Sequence, residues 1–482
     1  MAHMIIDGRQ IELDGEKNVL SVIRKAGIDL PTLCYYPDLT LYGACRMCLV
    51  ENERGGMIAA CSETPADGMV VKTNTQKLRK HRKLLLELLL GSHCRDCMTC
   101  KRSGICMLQE LAIRFGIDTI RFPNVKGPRL IDDSSHAIAI DRNKCILCGN
   151  CIRICAERQN VGAINFVKRG SDMSVSTAFD KPLGDTCCTG CGRCSASCPT
   201  GAITVKDEAH IAWQAIYDES IKTVALIDPV IVTTIGAVLE VTSYDNILGK
   251  IISALRRIGF DEVYNMSQAI SAVRMAEASK FLDCYDKKEN LPWFTSLCPA
   301  WCKYMSDRHP ELLVHLSENT TPTRAMSAAI RARATDTDKG LFIAAIGPCT
   351  ARKHELAMGR GGQDTNLILT ARELVQIIKG LGLELDRLAP EAPDTIFGAD
   401  DFSGDSDFDP ITLSEAVKRA AGYWGARVTT VYGLASAEEI VQQVKVGDIR
   451  YDFIEVLACP QGCKTGAGQP RAFVRQRMRA EV

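Results

Sequence analysis

Twenty-three cysteines in a chain of 482 residues constrain this sequence more than any other feature, because most of them stand two or three residues apart in runs. Thiols that close cannot each complete a separate disulfide, whereas they can share one ion or one cluster. The length suggests about three or more folded units, so the chain is read in pieces. Lys+Arg and Asp+Glu both total 58 and the formal net charge is zero, which leaves no global field to select nucleic acid or an anionic membrane surface. The longest apolar runs, Thr223 to Ile227 and Leu341 to Ile346, fall far short of the roughly 20 residues of a membrane helix. No basic segment followed by an apolar stretch opens the chain, and Met1-Ala2-His3-Met4 reads as residues added ahead of a native start. The expectation is a cytoplasmic protein with no membrane span and no nucleic-acid partner. In such a reducing compartment its thiols serve metal.

The first unit opens with alternating apolar and polar residues from Met4 to Leu13 around Asp7-Gly8, a hairpin pattern, and Asn18 to Ala26 follows at helical spacing. Cys34, Cys45, Cys48 and Cys61 then form C-x10-C-x2-C-x12-C. A long first gap, a tight pair and a distant fourth thiol let one loop wrap a small cluster while a neighbouring strand adds the last ligand, which favours a [2Fe-2S] centre. Zinc held by four thiolates is the competing reading, and the missing short first pair weighs against it. The pattern resembles the plant-type ferredoxin domain at the start of complex I large subunits and of many [FeFe] hydrogenases.

Gln76 to Gly91 is leucine-rich at helical spacing and delivers the next site. His93, Cys97, Cys100 and Cys106 form H-x3-C-x2-C-x5-C, where a neutral imidazole removes one negative charge and raises a cluster's potential. A surface histidine, or zinc bound by three thiolates and one imidazole, is the blander reading. The spacing matches the His-ligated [4Fe-4S] centre of the same two families. From Cys145 the chain reads C-x2-C-x2-C-x3-C through Cys148, Cys151 and Cys155, and it repeats this through Cys188, Cys191, Cys194 and Cys198-Pro199. In two-cluster ferredoxins three thiols of one run join the fourth of the other. Cys145, Cys148, Cys151 and Cys198 would thus share one [4Fe-4S] cluster, and Cys188, Cys191, Cys194 and Cys155 the second. The first run carries Ala156 where proline is usual, and a long insert runs from Asn160 to Asp185.

After Trp213 apolar strands alternate with helical stretches, including Thr223 to Ile227, Leu341 to Ile346 and Tyr451 to Ala458, which points to an α/β domain with a mainly parallel sheet. Three cysteine motifs punctuate it, around Cys298-Pro299-Ala300-Trp301, Gly347-Pro348-Cys349-Thr350-Ala351-Arg352-Lys353 and Cys459-Pro460-Gln461-Gly462-Cys463. The last two follow buried-strand patterns, so their thiols project into the crevice beyond the strand ends. Four converging thiols imply another cluster; buried structural thiols are the alternative. Cys94, Cys187, Cys284 and Cys302 remain as bystanders.

These stretches resemble, in order, the three H-cluster signatures of [FeFe] hydrogenases. The resemblance implies that Cys298, Cys349, Cys459 and Cys463 hold a [4Fe-4S] cubane, with Cys463 at the place of the thiolate that bridges to a catalytic diiron unit. It also implies a modular α+β chain. The units are a β-grasp [2Fe-2S] ferredoxin domain over 4–75, a His-ligated [4Fe-4S] domain over 76–125, a two-[4Fe-4S] ferredoxin domain over 136–212 and an α/β hydrogenase-like domain over 221–482. The cofactors would be one [2Fe-2S] and four [4Fe-4S] clusters.

Around the diiron position the chain departs from the family. Leu297 stands at a proton-donating cysteine, and Lys280 and Cys284 stand at relay positions, although Glu277 matches one retained carboxylate. Arg352 lies where a lysine would bond a cyanide ligand, with Lys353 one position on; the two side chains are not interchangeable in a tight pocket. Gly347 and Leu457 replace packing methionines, Gln461 replaces the first of a glycine pair, and Asp407 to Pro410 lacks an apolar glycine-rich character. The departures speak against an active diiron subcluster; Glu277 and Lys353 are the catalytic candidates if one is present. The expected function is an electron-transfer subunit of an electron-bifurcating type of NAD(P)H/ferredoxin oxidoreductase. No G-x-G-x-x-G loop occurs, so flavin and NAD(P) chemistry falls to partner iron-sulfur subunits, with ferredoxin as the other partner. The alternative is an atypical [FeFe] hydrogenase, slow or sensory, with a non-standard proton path.

Overall fold

The computed structural model describes residues 2–334, 340–359, 364–396, 413–421 and 425–470. Asp7 and Gly8 both adopt positive φ, +49° and +82°, the backbone of a two-residue hairpin turn. The turn joins β1 (His3–Ile6) to β2 (Arg9–Glu12) in antiparallel register. Helix α1 (Val19–Lys25) starts where the Asn18 side chain accepts from the Ser21 N–H. It lays Val19, Leu20, Val22 and Ile23 into a core shared with Met4, Ile6 and Val50. With β3 (Leu49–Asn52), β4 (Met57–Ala59) and β5 (Val70–Lys72) the sheet order is β2-β1-β5-β3-β4, and β1 runs parallel to β5. One helix over such a mixed sheet is the expected β-grasp arrangement.

Thr75 caps α2 (Gln76–Gly91), within the bounds that the leucine spacing predicts. Its inner row of Leu78, Arg82 and Leu86 recurs every fourth residue. Leu86 meets Leu108 and Leu111 of α3 (Met107–Arg114) in a core that also takes in Cys34, Cys45 and Cys148. Three cysteine motifs are thus built around one apolar cluster.

The duplicated runs fold alike. Gly149 and Gly192 each adopt left-handed φ, +71° and +68°, and start α4 (Asn150–Arg153) and α5 (Arg193–Ser197). Strand β6 (Ile138–Ile140) pairs with β9 (Ile203–Val205), while the insert forms a hairpin of β7 (Asn165–Val167) and β8 (Ser174–Ser176). With Ala156 in place of proline the first run continues past Cys155 in a π-helical turn, Ile154–Arg158; the second ends at Cys198-Pro199.

The change of character at Trp213 falls inside α6 (Ala209–Ile216), ahead of β10 (Ile221–Ile227). Helices α7 (Val232–Val238) and α8 (Ile247–Ile258) lead to β11 (Glu262–Asn265), and α9 (Ser267–Lys287) leads to β12 (Trp293–Phe294). Then come α10 (Pro299–Arg308), α11 (Pro322–Arg333), β13 (Gly340–Gly347), α12 (Ala351–Ala357), β14 (Leu367–Thr370) and α13 (Ala371–Gly380). The series ends with α14 (Leu413–Ala421), β15 (Val428–Tyr432), α15 (Leu434–Lys445) and β16 (Phe453–Leu457). Among the described residues all strand pairs here are parallel, but they form two sheets, β11-β10-β13-β14 and β12-β16-β15, where one was expected. Along β10 and β13 successive residues alternate between two cores, Ala225, Ile227, Ala344 and Ile346 on one face and Val224, Leu226, Ile343 and Ala345 on the other. Both faces are covered, as parallel sheets require. Among the described residues no helix is long and apolar enough to cross a membrane.

Candidate iron-sulfur sites and the C-terminal pocket

Cys34, Cys45, Cys48 and Cys61 are all buried. They stand as two pairs. The bond with Cys45 holds the Cys34 thiol down, to about 6, and the bond with Cys48 holds Cys61 below the usual thiol range. The Leu33 N–H points at Cys45 Sγ and the Cys45 N–H at Cys34 Sγ, each at 3.4 Å. Two thiol pairs with backbone donors aimed at sulfur fit a two-iron centre with two thiolates on each iron. Among the described residues no three His, Cys, Asp or Glu converge as they would on a single metal ion.

Beyond α2, His93 is 7 % exposed. Its Nδ1 faces the Arg95 N–H at 3.2 Å, and its Nε2 is buried without a hydrogen-bond partner. Burial lowers its pKa to about 4, so the ring is neutral, as a ligand must be. Lys144 lies close to both His93 and Cys100, and Cys106 lies close to Cys100 and Cys198. Cys97 opens the short turn that ends before Cys100.

In the duplicated unit burial pushes up the thiols of Cys145, Cys148, Cys151, Cys155, Cys188 and Cys194, and neighbouring thiols add to this effect. Cys145, Cys148 and Cys151 all feel Cys198, while Cys155, Cys188 and Cys194 all feel Cys191. Cys151 also lies near Cys194, so the two groups adjoin; the grouping is the one that crossed ligand sets would need. Cys34 lies near enough to Cys148 to act on it, as Cys198 does on Cys106, so both N-terminal sites border the first of these sets. Arg153 braces that junction, donating to the Cys34 carbonyl and to Asn150 Oδ1 at 2.7 Å each. Arg102, 1 % exposed, donates to the Ser195 carbonyl at 2.9 Å.

Cys349 and Cys459 each stand two residues beyond a strand, β13 and β16. Cys298 directly precedes α10. The N–H groups of Ala300, Trp301 and Ala458 face the Cys298 sulfur, and those of Ala351 and Arg352 face Cys349. Burial raises Cys349 to about 11 and pushes Cys459 and Cys463 up, with each of the three thiols near Cys298. All four lie deep in the fold, yet Cys463 is accessible to water and the other three are partly so. Four neighbouring thiols with sulfur-facing N–H groups and partial access fit a cluster. Cys459 also lies close to Cys191 of the second ferredoxin-type set.

The departures from the family pattern have definite places. Leu297 packs with Phe281, Trp293 and Phe453. Lys280 is exposed and Cys284 is half-buried. Glu277 is fully buried and accepts from Trp293 Nε1 at 2.9 Å, from Ser317 Oγ at 2.8 Å and from Asn319 Nδ2. Lys353 is bound between Glu208 and Glu373. Arg352 lies near Cys349, Cys463 and Asp228 and pairs with Glu355 at 3.5 Å. Gln461 keeps a glycine-like φ of +59°, and a side chain at Gly347 would meet Asp228 at 3.7 Å. Asp407 to Pro410 lie outside the described residues. The sequence reading missed Asp228 and Arg274, both near Cys463. Asp228 follows β10 directly, so the strand-end rule that marks Cys349 and Cys459 also marks it. Of the remaining cysteines, Cys302 donates to the Ser296 carbonyl at 3.1 Å, Cys94 Sγ lies 3.8 Å from His93 Nδ1, and Cys187 is exposed.

The model of the iron-only hydrogenase large subunit, C-terminal domain, matches residues 221–424 and 402–467, more than half of the chain. Over 520 aligned residues the chain is 31% identical to NADP-reducing hydrogenase subunit HndD of Solidesulfovibrio fructosivorans, covering 98% of this chain and 89% of that protein. The chain belongs to the iron-only hydrogenase large-subunit family. Within this hydrogenase family, iron hydrogenase 1 of Clostridium pasteurianum is 26% identical over 98% of this chain and 89% of its own length. A solved [FeFe]-hydrogenase shares the fold over 57% of this chain and 88% of its own, with a TM-score of 0.50 and 21% identity. Ahead of the hydrogenase domain, models of a 2Fe-2S cluster binding domain, the NADH-ubiquinone oxidoreductase-G iron-sulfur binding region and a 4Fe-4S dicluster domain match residues 1–76, 82–121 and 144–202.

Proposed function

We propose that this chain is an iron-sulfur electron-transfer subunit of a multi-subunit complex, built on a hydrogenase framework whose diiron chemistry is lost. The single observation that carries the reading is the series of cysteine groups, each bordering the next, that ends in the Cys298, Cys349, Cys459 and Cys463 quartet beside Cys191. The units follow the cysteine runs: 4–75 for a [2Fe-2S] cluster, 76–125 for a His93-ligated [4Fe-4S] cluster, 136–212 for two [4Fe-4S] clusters and 221–482 for the C-terminal cubane. Bound there, the clusters supply one-electron carriers. The chain's own residues exclude water by burial, aim backbone N–H groups at the sulfurs, and lock neighbouring units together through Arg153 and Arg102.

The name of one relative, a subunit of an NADP-reducing hydrogenase, supports the presence of partner subunits; in this reading they carry flavin and NAD(P). Ferredoxin is the other partner in this reading, and the cytoplasm its location. Support for the loss of diiron chemistry comes from the apolar setting of Leu297 and from Lys353, whose ammonium is engaged by two carboxylates. Glu277 favours a second reading, an atypical [FeFe] hydrogenase with its own proton path, because a buried carboxylate on α9 is retained. Infrared spectroscopy of protein produced with the diiron maturation machinery separates the two. No CO or CN⁻ bands and no H2 turnover are expected, and intense bands would establish the second reading.

A further inference from the structure

The first two turns of α2 carry Lys77, Arg79, Lys80, Arg82 and Lys83 with no acidic residue among them. Cations at the positive end of a helix are disfavoured by its dipole, and in a chain of zero net charge this cluster is a local choice. Neutral groups hold most of them: Lys77 donates to the Gly55 carbonyl at 2.7 Å, Arg79 to Asn74 Oδ1 at 2.8 Å and Lys83 to the Gly116 carbonyl at 3.0 Å. Among the described residues two of these cations have a carboxylate nearby, Lys77 with Glu51 at 4.0 Å and buried Arg82 with Asp7. Lys80 is exposed and has no partner among the described residues.

Arg79, Lys80, Lys83 and Arg114 wall a groove of about 700 Å³ against the loop of Ile28 to Pro31. Of its two acids, Asp29 pairs with Arg114 at 3.0 Å and Asp7 accepts from the Thr73 N–H at 2.7 Å. Leu84 and Leu88, 36 % and 44 % exposed, continue the Lys80 row at four-residue spacing and add an apolar stripe. The groove reaches the loops of the first cysteine quartet through two of its lining residues. Pro31 stands three residues before Cys34, and buried Arg82 donates to the Met47 and Leu49 carbonyls at 3.2 and 2.6 Å, within and just beyond the Cys45–Cys48 loop.

We infer that this groove docks an acidic one-electron carrier protein of the ferredoxin class and that electrons pass there to or from the Cys34, Cys45, Cys48 and Cys61 site. The inference rests on the electron-transfer reading above and adds the place and charge of the contact. One electron leaves the reduced carrier and is taken up at this site, so the carrier is oxidised by one electron, and no bond or proton is transferred. A basic rim beside an apolar stripe suits an acidic protein surface, because the charges steer the encounter and the leucines hold it.

The test is binding of an acidic bacterial two-[4Fe-4S] ferredoxin to immobilised, iron-loaded full-length protein across ionic strength, comparing wild type with the triple variant Arg79→Glu/Lys80→Glu/Lys83→Glu. Affinity at low salt is expected to fall about tenfold or more and to lose most of its salt dependence, with iron content unchanged. Lys80→Glu alone, which breaks no contact, is expected to weaken binding several-fold and stands in if the triple variant misfolds. Unchanged binding in both overturns the inference. Loss of partner subunits or of phosphatidylglycerol vesicle binding, with ferredoxin binding intact, assigns the face elsewhere and also overturns it. Reduction of the wild-type clusters by reduced methyl viologen is scored separately, since its failure would count against the electron-transfer reading and not against this surface.

Discussion

The Lys353 ammonium lies 3.0 Å from Glu373 Oε1, and both side chains are almost wholly buried, 1% and 3% exposed. Glu373 also closes a capping box with Thr370 at the start of α13, and Glu208 at the start of α6 completes the ion triad at 2.7 Å. This lysine therefore ties three helices together. Removing one partner of a buried pair leaves the other charge uncompensated, at a cost of roughly 3–5 kcal/mol. Lys353→Ala is accordingly expected to lower the denaturant midpoint of the C-terminal unit by a loss of that size. Lys353→Ala combined with Glu373→Gln should cost less than the sum of the two single changes. A lysine directed at a cofactor pocket would instead leave the midpoint nearly unchanged.

The C-terminal quartet gives a spectroscopic prediction. Each of its thiols is deep, and burial pushes all four pKa values up, so their thiolate forms depend on the positive charge of bound iron. On the proposed assignment Cys298→Ala removes one ligand without touching the ferredoxin-type runs. Electron paramagnetic resonance of the reduced protein should lose one [4Fe-4S] signal and keep the others, with iron per chain reduced in step. A spectrum with every signal intact would sink the assignment.

How much of this was legible in the sequence depends on the range of the contact. Leucine spacing gave α2 to the residue, since Thr75 and the apolar row are local signals. Asp7-Gly8 announced its hairpin because positive φ at both positions suits that dipeptide. The gathering of the duplicated cysteines was legible from the repeat, whose short spacing is a local signal. The second parallel sheet was not, because β12 spans only Trp293 and Phe294, too short to leave a period. Nor could the fate of Lys353 be read, since Glu208 lies 145 residues away in the chain. Asp228 was overlooked for another reason: a single aspartate after an apolar strand resembles an ordinary turn residue until the crevice beyond the strand is seen.

His93 offers a test of charge. Its Nε2 is buried and unpartnered and the ring is neutral, so an imidazole ligand gives the cluster one negative charge fewer than a thiolate would. His93→Cys is expected to lower the midpoint potential of a single [4Fe-4S] signal in a redox titration followed by electron paramagnetic resonance. Iron content should stay the same. If no signal moves, His93 is not a ligand.

The seam between the ferredoxin-type and hydrogenase-like units rests on Gly192. Its φ of +68° is one that L side chains rarely adopt, and an added Cβ would stand 2.5 Å from Thr350 Oγ1 and 2.7 Å from Ala467 Cβ. Two further bonds cross the same seam: Thr350 Oγ1 donates to the Gly190 carbonyl at 2.9 Å, and Arg193 donates to the Thr465 carbonyl at 3.0 Å. Gly192→Ala must therefore force the units apart as well as strain the turn, at a combined cost of roughly 2–4 kcal/mol. Because Cys191 and Cys459 lie near each other across this seam, the variant should also slow electron passage into the C-terminal site. Freeze-quenched spectra would show the ferredoxin-type signals reduced at the normal rate and the C-terminal signal delayed. Gly382→Ala is the control: it has a similar positive φ of +64°, but nothing stands within 4 Å of its Cβ position. It should share the turn strain and leave the transfer rate alone, and a delay of equal size in both variants would show that the seam does not govern the step.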